Sequence, residues 1–336
     1  IIEKIFSTLT ISFFFKRAIS KNITDQYFDL ILYTTPPITL TNLISWLKIK
    51  TSAKTYLLLK DIFPQNAVDV GLITNRGILY SLLKKKEKKL YNISDMIGCM
   101  SPANLKYLLK EYPNLEYKLE INPNSIELYS NNHLGTSRED AFKPFNIPSE
   151  SKIFLYGGNL GLPQGVMFLT EIISKSKALY PEVFFLIIGD GTDYLKLLNW
   201  FKLNKPSNAK LVQMLPKKTF DNISSHCDVG LILLRNNFTI PNFPSRLLTY
   251  LENRMPILSF TDDVSDIGPI SEKFEFGKWS YYGDLEHALL QVEFMVQNDE
   301  RRKKMGENGF SYLISECNVE NSYNKIVKFV NKGDVK

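Results

Sequence analysis

Residues 153–165 have the sequence IFLYGGNLGLPQG, and this stretch decides the fold. Its four leading apolar residues predict a strand buried on both faces, because the strands of a helix-covered parallel sheet are apolar throughout. The glycines Gly157, Gly158 and Gly161 then predict a tight turn, and Pro163 suits the first turn of a helix. Glycine lets a ligand approach the backbone, and a helix N-terminus favours a phosphate. The stretch therefore predicts either a phosphate-binding turn or a purely structural one.

The alternation of apolar runs and helical patterns continues on both sides of this stretch. The predicted strands are 28–34, 55–59, 96–100, 118–121, 153–156, 183–188, 210–213, 228–233 and 256–260. The predicted helices are 76–93, 102–111, 163–179, 193–203, 217–225, 245–253, 285–296 and 318–329. Strand and helix in repeated alternation predict a parallel α/β sheet. Because the stretch 123–151 is polar and predicts a linker, we expect one domain at 1–124 and a second at 150–316. The C-terminal helix at 317–336 is expected to cross back toward the first domain.

Two later stretches carry residues that suit a phosphate group. Residues 188–193 (IGDGTD) follow a predicted strand, and the carboxyl ends of parallel strands form a ligand crevice. Residues 242–258 (NFPSRLLTYLENRMPIL) predict a short helix with Ser245 as its cap and Arg246 beside its free amides. The sequence leaves two alternatives open, an Asp-capped turn at 188–193 and a solvated cation at Arg246.

The composition disfavours several classes of protein. The chain has 336 residues, with 41 Lys and Arg against 35 Asp and Glu, and its net charge is +6. This mild excess fits an anionic ligand or a membrane surface and argues against a nucleic-acid partner. Three Cys without a CxxC pair favour a reduced cytoplasmic setting, and three distant His disfavour a zinc site. The GGxxG spacing disfavours a dinucleotide-dependent dehydrogenase, whose fingerprint is GxGxxG.

Two segments suit a membrane surface. The apolar run 5–15 has 11 residues, whereas a spanning helix needs about 20. It therefore predicts a buried or half-buried helix, or an interfacial one. In 76–93, helical spacing puts Leu79, Leu83 and Leu90 on one stripe. An adjacent face carries Lys84, Lys85, Lys88 and Lys89. That face predicts contact with anionic lipid, and a solvated lysine face is the alternative.

The motifs at 156–165, 188–193 and 242–258, in this order and spacing, resemble the donor-binding domain of glycosyltransferase family 4, which has the GT-B fold. Residues 61–69 (DIFPQNAVD) resemble the D-[LI]-[WF]-P-x-x-A-V segment of a bacterial branch of that family. This branch is similar to N-acetyl-fucosamine-type transferases of capsule and lipopolysaccharide O-antigen assembly. The resemblance implies an α/β protein whose two Rossmann-like domains face each other across a cleft. The family's leading strands and Gly-rich loop do not occur here, so we expect the first domain to be N-terminally incomplete.

The same resemblance implies a retaining glycosyltransferase of the hexosyltransferase type. It would move a sugar from a nucleotide-diphosphate donor, expected to be a UDP-sugar, to a lipid-linked saccharide in surface polysaccharide biosynthesis. No metal and no other cofactor is expected. The enzyme would be cytoplasmic and peripheral at the inner face of the plasma membrane. The alternative from another class is a non-catalytic nucleotide-sugar-binding or partner protein of the same fold.

The resemblance also assigns residues to the two substrates. Asp61, followed by Asp69, is the acceptor-side candidate for a catalytic polar group. The residues assigned to the donor are Gly158, Asn159, Gln164, Gly189, Asp190, Met214, Leu215, Pro244, Ser245, Arg246, Thr249 and Glu252.

Three of these positions depart from the family's pattern. Asn159 and Gln164 stand where the family commonly has Arg and Lys, so Arg246 is the expected phosphate clamp. Thr249 stands where the family has the Glu that binds the ribose. Glu252 lies three residues later, on nearly the same helix face, and is the expected substitute.

Overall fold

The computed structural model describes residues 2–23, 27–128 and 136–332, and of residues 2–9 it describes the backbone only. Contacts divide the chain into two compact units. Unit 1 consists of Ile1–Asn124, Thr239–Pro241 and Glu320–Lys336, and unit 2 consists of Ser125–Phe238 and Asn242–Val319. Each unit is built on a parallel sheet, so the predicted parallel α/β architecture is confirmed.

Unit 1 has a four-stranded parallel sheet in the order β1-β2-β3-β4. The strands are β1 (Leu30–Thr35), β2 (Lys54–Leu59), β3 (Met96–Cys99) and β4 (Leu119–Ile121). The helices that precede and connect them are α1 (Ile2–Asn22), α2 (Thr41–Thr51), α3 (Gln65–Asp69), α4 (Ile78–Ile93) and α5 (Pro102–Glu111). Tyr56, Leu57 and Ile97 are fully buried at the centre of the sheet, because helices cover their side chains.

Helix α4 has an inner face and an outer face of different chemistry. Leu90 and Tyr91 are buried on the inner face, as the apolar stripe predicts for Leu90. Leu79 does not follow that prediction, because its side chain is 55% exposed at the first turn of the helix. Ile78 and Leu82 are exposed as well, at 84% and 53%. The outer face therefore begins with apolar side chains and continues with the exposed lysines Lys85, Lys88 and Lys89.

The prediction that Lys84 shares this exposed face is wrong. Its ammonium group lies 2.6 Å from a carboxylate oxygen of Glu87, whose side chain is only 1% exposed. It also lies over the ring of Tyr112, 5.2 Å from the ring centroid. Glu87 accepts hydrogen bonds from the hydroxyls of Tyr91 and Tyr112 as well. A buried carboxylate needs a charged partner, and Lys84 turns inward to supply it.

Unit 2 has a six-stranded parallel sheet in the order β10-β9-β8-β5-β6-β7. The strands are β5 (Lys152–Asn159), β6 (Val183–Asp190), β7 (Ala209–Val212), β8 (Val229–Leu233), β9 (Ile257–Thr261) and β10 (Gly277–Tyr281). The helices are α6 (Arg138–Phe142), α7 (Phe168–Leu179), α8 (Tyr194–Asn204), α9 (Lys217–Ser224), α10 (Arg246–Glu252), α11 (Ile267–Lys273), α12 (Leu285–Gln297) and α13 (Asp299–Glu316). Counted from β5, the strand order is 3-2-1-4-5-6, which is the order of the Rossmann fold.

The predicted linker 123–151 differs from the structure at its C-terminal end. Residues 136–151 belong to unit 2, and α6 lies within them. The Arg138 guanidinium donates to the carbonyls of Ser149 and Ser151 and pairs with Asp228 at 2.7 Å. Such ties order a polar segment against the domain that it precedes. Residues 129–135 of the predicted linker lie outside the described residues.

The last helix, α14 (Val319–Asn331), packs in unit 1. The ring of Phe329 meets the ring of Tyr56 edge-on at a centroid distance of 5.7 Å. The Lys325 ammonium donates to the Ile121 carbonyl at 2.9 Å, at the end of β4. Across the part of the chain that the structure describes, none of the helices combines the length and apolar composition that crossing a bilayer requires.

Candidate functional site

Strands β5 and β8 separate at their carboxyl ends. They pair in register only at Phe154 with Val229 and Leu155 with Gly230, although both strands continue beyond these pairs. From β5 the chain moves outward to β6 and then β7, and the connection after β7 crosses back to β8 on the other side of β5. This topological switch point is where open α/β sheets bind their ligands.

The side chain of Tyr250 from α10 fills the gap between the two strands. Its hydroxyl accepts a hydrogen bond from the Gly157 amide at 3.0 Å and donates to the Leu231 carbonyl at 3.3 Å. A Cβ at Gly230 would lie 2.4 Å from the Tyr250 ring, so the ring fits only against glycine. Tyr250 therefore provides a hydrogen-bond partner for two backbone groups, the Gly157 amide and the Leu231 carbonyl, at the point where β5 and β8 separate.

A cavity of about 160 Å³ opens beside this gap in unit 2. Its lining residues come from the ends of β5 and β6, from the segment after β7 and from helices α9 and α10; they are Gly157, Gly158, Ile188, Gly189, Met214, Leu215, Phe220, Arg246, Thr249 and Tyr250. The structure thus brings together six of the residues predicted for a donor, Gly158, Gly189, Met214, Leu215, Arg246 and Thr249.

Close backbone contact explains two of these glycines. A Cβ at Gly189 would lie 1.9 Å from the carbonyl oxygen of Gly158, which no side chain tolerates. Gly158 itself has a φ of +124°, a conformation that residues with a side chain rarely adopt. The two strand ends can therefore approach each other and leave their backbone open toward the cavity.

Arg246 is the cation of this cavity. Its guanidinium carbon lies 3.6 Å from the point where a Cβ of Gly158 would stand, and 4.4 Å from the centroid of the Tyr156 ring. Its Nη1 atom is buried and has no hydrogen-bond partner among the described residues. Burial raises the pKa of the Tyr156 phenol, and the Arg246 charge opposes that shift. A guanidinium with an unused, buried donor atom is suited to an anion of the ligand.

The prediction that Ser245 caps helix α10 is wrong. Ser245 precedes the helix with φ −64° and ψ −22°, a helical conformation, and its hydroxyl makes no capping hydrogen bond. A cap residue normally adopts an extended conformation, which turns its oxygen toward the free amides. Ser245 is exposed and, like Pro244, lies outside the cavity lining.

Asn159, Gln164 and Asp190 also lie outside the lining and act on the loops around it. The Gln164 side-chain oxygen accepts hydrogen bonds from the Asn159 amide group at 3.1 Å and from the Gly161 backbone at 3.2 Å. Asp190 accepts from the Gly191 amide at 2.7 Å. The loop that lacks the family's two cations is thus closed by neutral hydrogen bonds.

Thr249 and Glu252 have different positions on α10. Thr249 lines the cavity, whereas Glu252 does not. Burial raises the pKa of the Glu252 carboxyl, Lys217 lowers it and Asp221 raises it, so this carboxyl lies near helix α9. The structure therefore supports a wall position for Thr249 and does not bring Glu252 to it.

The two acceptor-side candidates lie in unit 1 after β2. Burial raises the pKa of the Asp61 carboxyl, which accepts a hydrogen bond from the Asn66 amide group at 2.6 Å. Asp69 accepts from the Gln65 amide group at 2.8 Å and from both the amide and the hydroxyl of Thr239. Asp69 thus holds the segment Thr239–Pro241 within unit 1. Within the described ranges, no group of three or more His, Cys, Asp or Glu could hold a metal.

The family model for glycosyl transferases group 1 matches residues 137–312, more than half of the chain. The chain belongs to this family. The match covers the Rossmann-ordered sheet of unit 2 and every residue that lines its cavity. The specific likeness to N-acetyl-fucosamine-type transferases stays a prediction.

Two curated proteins are similar in sequence to parts of this chain. It is 25% identical over 260 residues to a probable glycosyltransferase WbjE of Pseudomonas aeruginosa, a match that covers 74% of this chain and 61% of that protein. It is 24% identical over 157 residues to a putative colanic acid biosynthesis glycosyl transferase WcaI of Escherichia coli, with 45% and 37% covered. The chain thus spans less than two thirds of the length of either relative.

A solved structure confirms the fold. The chain matches HepE of Anabaena in complex with UDP-glucose with a TM-score of 0.70 at 11% identity, over 94% of this chain and 81% of that one. The GT-B class predicted from the sequence is thereby confirmed for the two parallel α/β units.

The donor assignment from the sequence leaves out the lining residues Gly157, Ile188, Phe220 and Tyr250, and also Tyr156, whose ring lies beside Arg246. Tyr156 and Tyr250 have the pattern of core residues in an apolar strand and helix, and Phe220 that of a helix core residue. Gly157 and Gly230 are the only local signals for them, because a glycine in a buried strand marks a close approach by another group.

Proposed function

We propose that the chain is a retaining glycosyltransferase that moves a sugar from a UDP-sugar to a lipid-linked saccharide. The observation that carries this proposal is the unpartnered, buried Nη1 of Arg246 at the Gly158 loop, in a cavity at the switch point of the sheet. Two further facts support it, the membership in the glycosyl transferases group 1 family and the UDP and UDP-glucose complexes of the structurally similar HepE.

In the proposed reaction the bond between the anomeric carbon and the distal phosphate oxygen breaks. An acceptor oxygen bonds to the same face of that carbon, and the diphosphate leaves with growing negative charge. Donors fixed in a water-poor site stabilise such charge strongly, because they need no reorganisation during the reaction. Arg246 supplies this charge itself, so the proposed mechanism requires neither a metal nor another cofactor.

Asp61 is the proposed acceptor-side group, with Asp69 second. A carboxyl whose pKa is raised by burial binds a proton better near neutral pH, which suits it to accept the proton of an acceptor hydroxyl. The hydrogen bonds that Asp69 accepts from Gln65 and Thr239 suit a residue that orders a loop.

We propose surface polysaccharide biosynthesis, capsule or O-antigen, as the setting. Support comes from the likeness to WcaI, a putative colanic acid biosynthesis enzyme, and to WaaG, which is involved in lipopolysaccharide biosynthesis. WaaG matches with a TM-score of 0.57 over 85% of this chain. A lipid-linked acceptor requires access to a membrane surface. The outer face of α4, with Ile78 and Leu82 before Lys85 and Lys89, supports a peripheral position at the cytoplasmic face of the plasma membrane.

The direct test is transfer from labelled donors. Membranes that contain lipid-linked saccharides are incubated with the chain and a panel of labelled UDP-, GDP- and dTDP-sugars, and the label in the lipid extract is counted. We expect label from a UDP-sugar, loss of transfer in Arg246→Gln, and retention of the anomeric configuration by NMR. UDP binding without transfer from any donor would favour the non-catalytic alternative.

A further inference from the structure

Arg235 follows strand β8 by two residues, beyond the point at which β8 and β5 cease to pair. Its backbone amide donates to the Pro163 carbonyl at 2.9 Å, which ties it to the loop after β5. The pairing of β5 with β8 opens before this point, because Leu155 and Gly230 are the last paired residues. Arg235 therefore stands on the far side of the crevice from the end of β6.

The side chain of Arg235 lies near Tyr282, a residue that holds the same loop. Tyr282 donates a hydrogen bond from its hydroxyl to the Gly165 carbonyl at 2.8 Å. Burial raises the pKa of the Tyr282 phenol, and the charge of Arg235 opposes this shift, so the guanidinium lies near that phenol. Arg235 is partly exposed, and the ion pairs of the described residues do not include it. Its charge is therefore available to a ligand.

The strand order fixes which part of a ligand this charge can meet. Ile188, Gly189 and Met214 line the cavity on the side of β6 and β7, whereas Arg235 follows β8 on the other side of β5. Arg246 lies between them, over the Gly158 turn. The inference takes the nucleoside to lie against Met214, so that its first phosphate would pass Arg246 and its second phosphate would point toward Arg235.

We propose that Arg235 binds the distal phosphate of the nucleoside diphosphate. The proposal rests on the proposed function, because it takes the cavity as the nucleotide site. The loop after β5 has the neutral side chains Asn159 and Gln164 in place of the family's two cations. Arg235, which follows the neighbouring strand β8, would supply a positive charge to that loop. A guanidinium suits this position because its several donors can hold two phosphate oxygens at once.

Calorimetric titration with UMP and with UDP tests the proposal. Arg235→Gln keeps hydrogen-bond donors and removes the charge, and Arg301→Gln, at an exposed position on α13, is the matched control. We expect Arg235→Gln to weaken UDP binding about tenfold, because a charge-assisted contact is lost. UMP binding should stay within twofold, since UMP has no distal phosphate. Arg301→Gln should change neither.

If the parent chain binds UDP, the proposed nucleotide site stands. Two results would then overturn the inference about Arg235. One is an equal loss for UMP and UDP, which would indicate a structural effect of Arg235 on the loop. The other is unchanged UDP affinity in Arg235→Gln. If the parent chain binds neither nucleotide, the proposed function fails, and this inference fails with it.

Discussion

The hydroxyl of Tyr250 lies 3.0 Å from the Gly157 amide and takes the place of a ladder partner between β5 and β8. The same hydroxyl donates to the Leu231 carbonyl on the other strand. One side chain thus holds two parallel strands apart at their carboxyl ends and keeps their backbone satisfied. Arg246 and the Gly158 turn border the crevice that this side chain opens.

Removal of this hydroxyl should cost stability. In Tyr250→Phe the buried amide of Gly157 loses its partner, and an unsatisfied buried donor costs about 1–3 kcal/mol. Urea unfolding should show this loss in the free energy of unfolding. Tyr117→Phe is the control, because the Tyr117 side chain is 81% exposed. Equal stability of both variants would contradict the bridging role of Tyr250.

The contact between Gly189 and Gly158 gives a second prediction. A methyl group at Gly189 would meet the Gly158 carbonyl at 1.9 Å, so the two strands must move apart. Overpacking of this kind typically costs about 1–3 kcal/mol. We expect Gly189→Ala to lower the thermal unfolding midpoint and to abolish UDP binding. Gly77→Ala is the control, because the nearest side-chain atom there is the movable Thr74 hydroxyl at 3.1 Å. Normal UDP binding by Gly189→Ala would show that the turn does not need this close approach.

The fold was largely predictable from buried strands, and the exceptions have physical reasons. Strand β10 (Gly277–Tyr281) was missed because Lys278 and Ser280 interrupt its apolar residues, as at the edge of a sheet. Helix α13 (Asp299–Glu316) was missed because its first turns, DERRKK, carry almost only charged residues. A continuous apolar run identifies only elements that are buried on both faces.

The cavity lining was predictable in part, from local signals at some positions and from the family resemblance at Met214, Leu215 and Thr249. Gly158 and Arg246, which line the cavity, could be singled out because a Gly-rich turn and a cation at a helix start are local signals. Lys84 was misplaced because its partner Glu87 is buried by packing that helical spacing does not show. Arg235 and Tyr250 act through neighbours more than 70 residues away in the sequence, at Pro163 and Gly157. Contacts at such separation depend on strand order, which local pattern does not contain.

Thr249 gives a prediction about the ribose. This residue lies in the cavity wall, and a carboxylate there could accept hydrogen bonds from both ribose hydroxyls. Since each hydrogen bond contributes about 0.5–1.5 kcal/mol, Thr249→Glu should tighten UDP binding several-fold. The gain should shrink with 2′-deoxy-UDP. Glu252→Ala, on the same helix but outside the wall, should stay within twofold of the parent. If Glu252→Ala weakens binding and Thr249→Glu abolishes it, the ribose lies elsewhere.

The outer face of α4 should bind anionic lipid. Each lysine near such a surface adds on the order of 1 kcal/mol, so replacing Lys85, Lys88 and Lys89 together by Gln should lower vesicle binding more than tenfold. The measurement is flotation with phosphatidylserine vesicles. The control variant replaces Lys303 and Lys304, which are exposed on α13 of unit 2. Equal flotation of the two variants would reject a membrane role for α4.

The most direct test of a nucleotide-sugar site is the UDP affinity of Arg246→Gln, measured by calorimetry. Arg254→Gln is the matched control, because Arg254 is exposed two residues after the same helix and pairs with Glu307. A lost charge-assisted contact costs about 1.5–3 kcal/mol, so Arg246→Gln should bind UDP roughly ten- to a hundredfold more weakly than the parent. Arg254→Gln should bind it normally. An Arg246→Gln variant that binds UDP within twofold of the parent would contradict the assignment of this cavity to the donor.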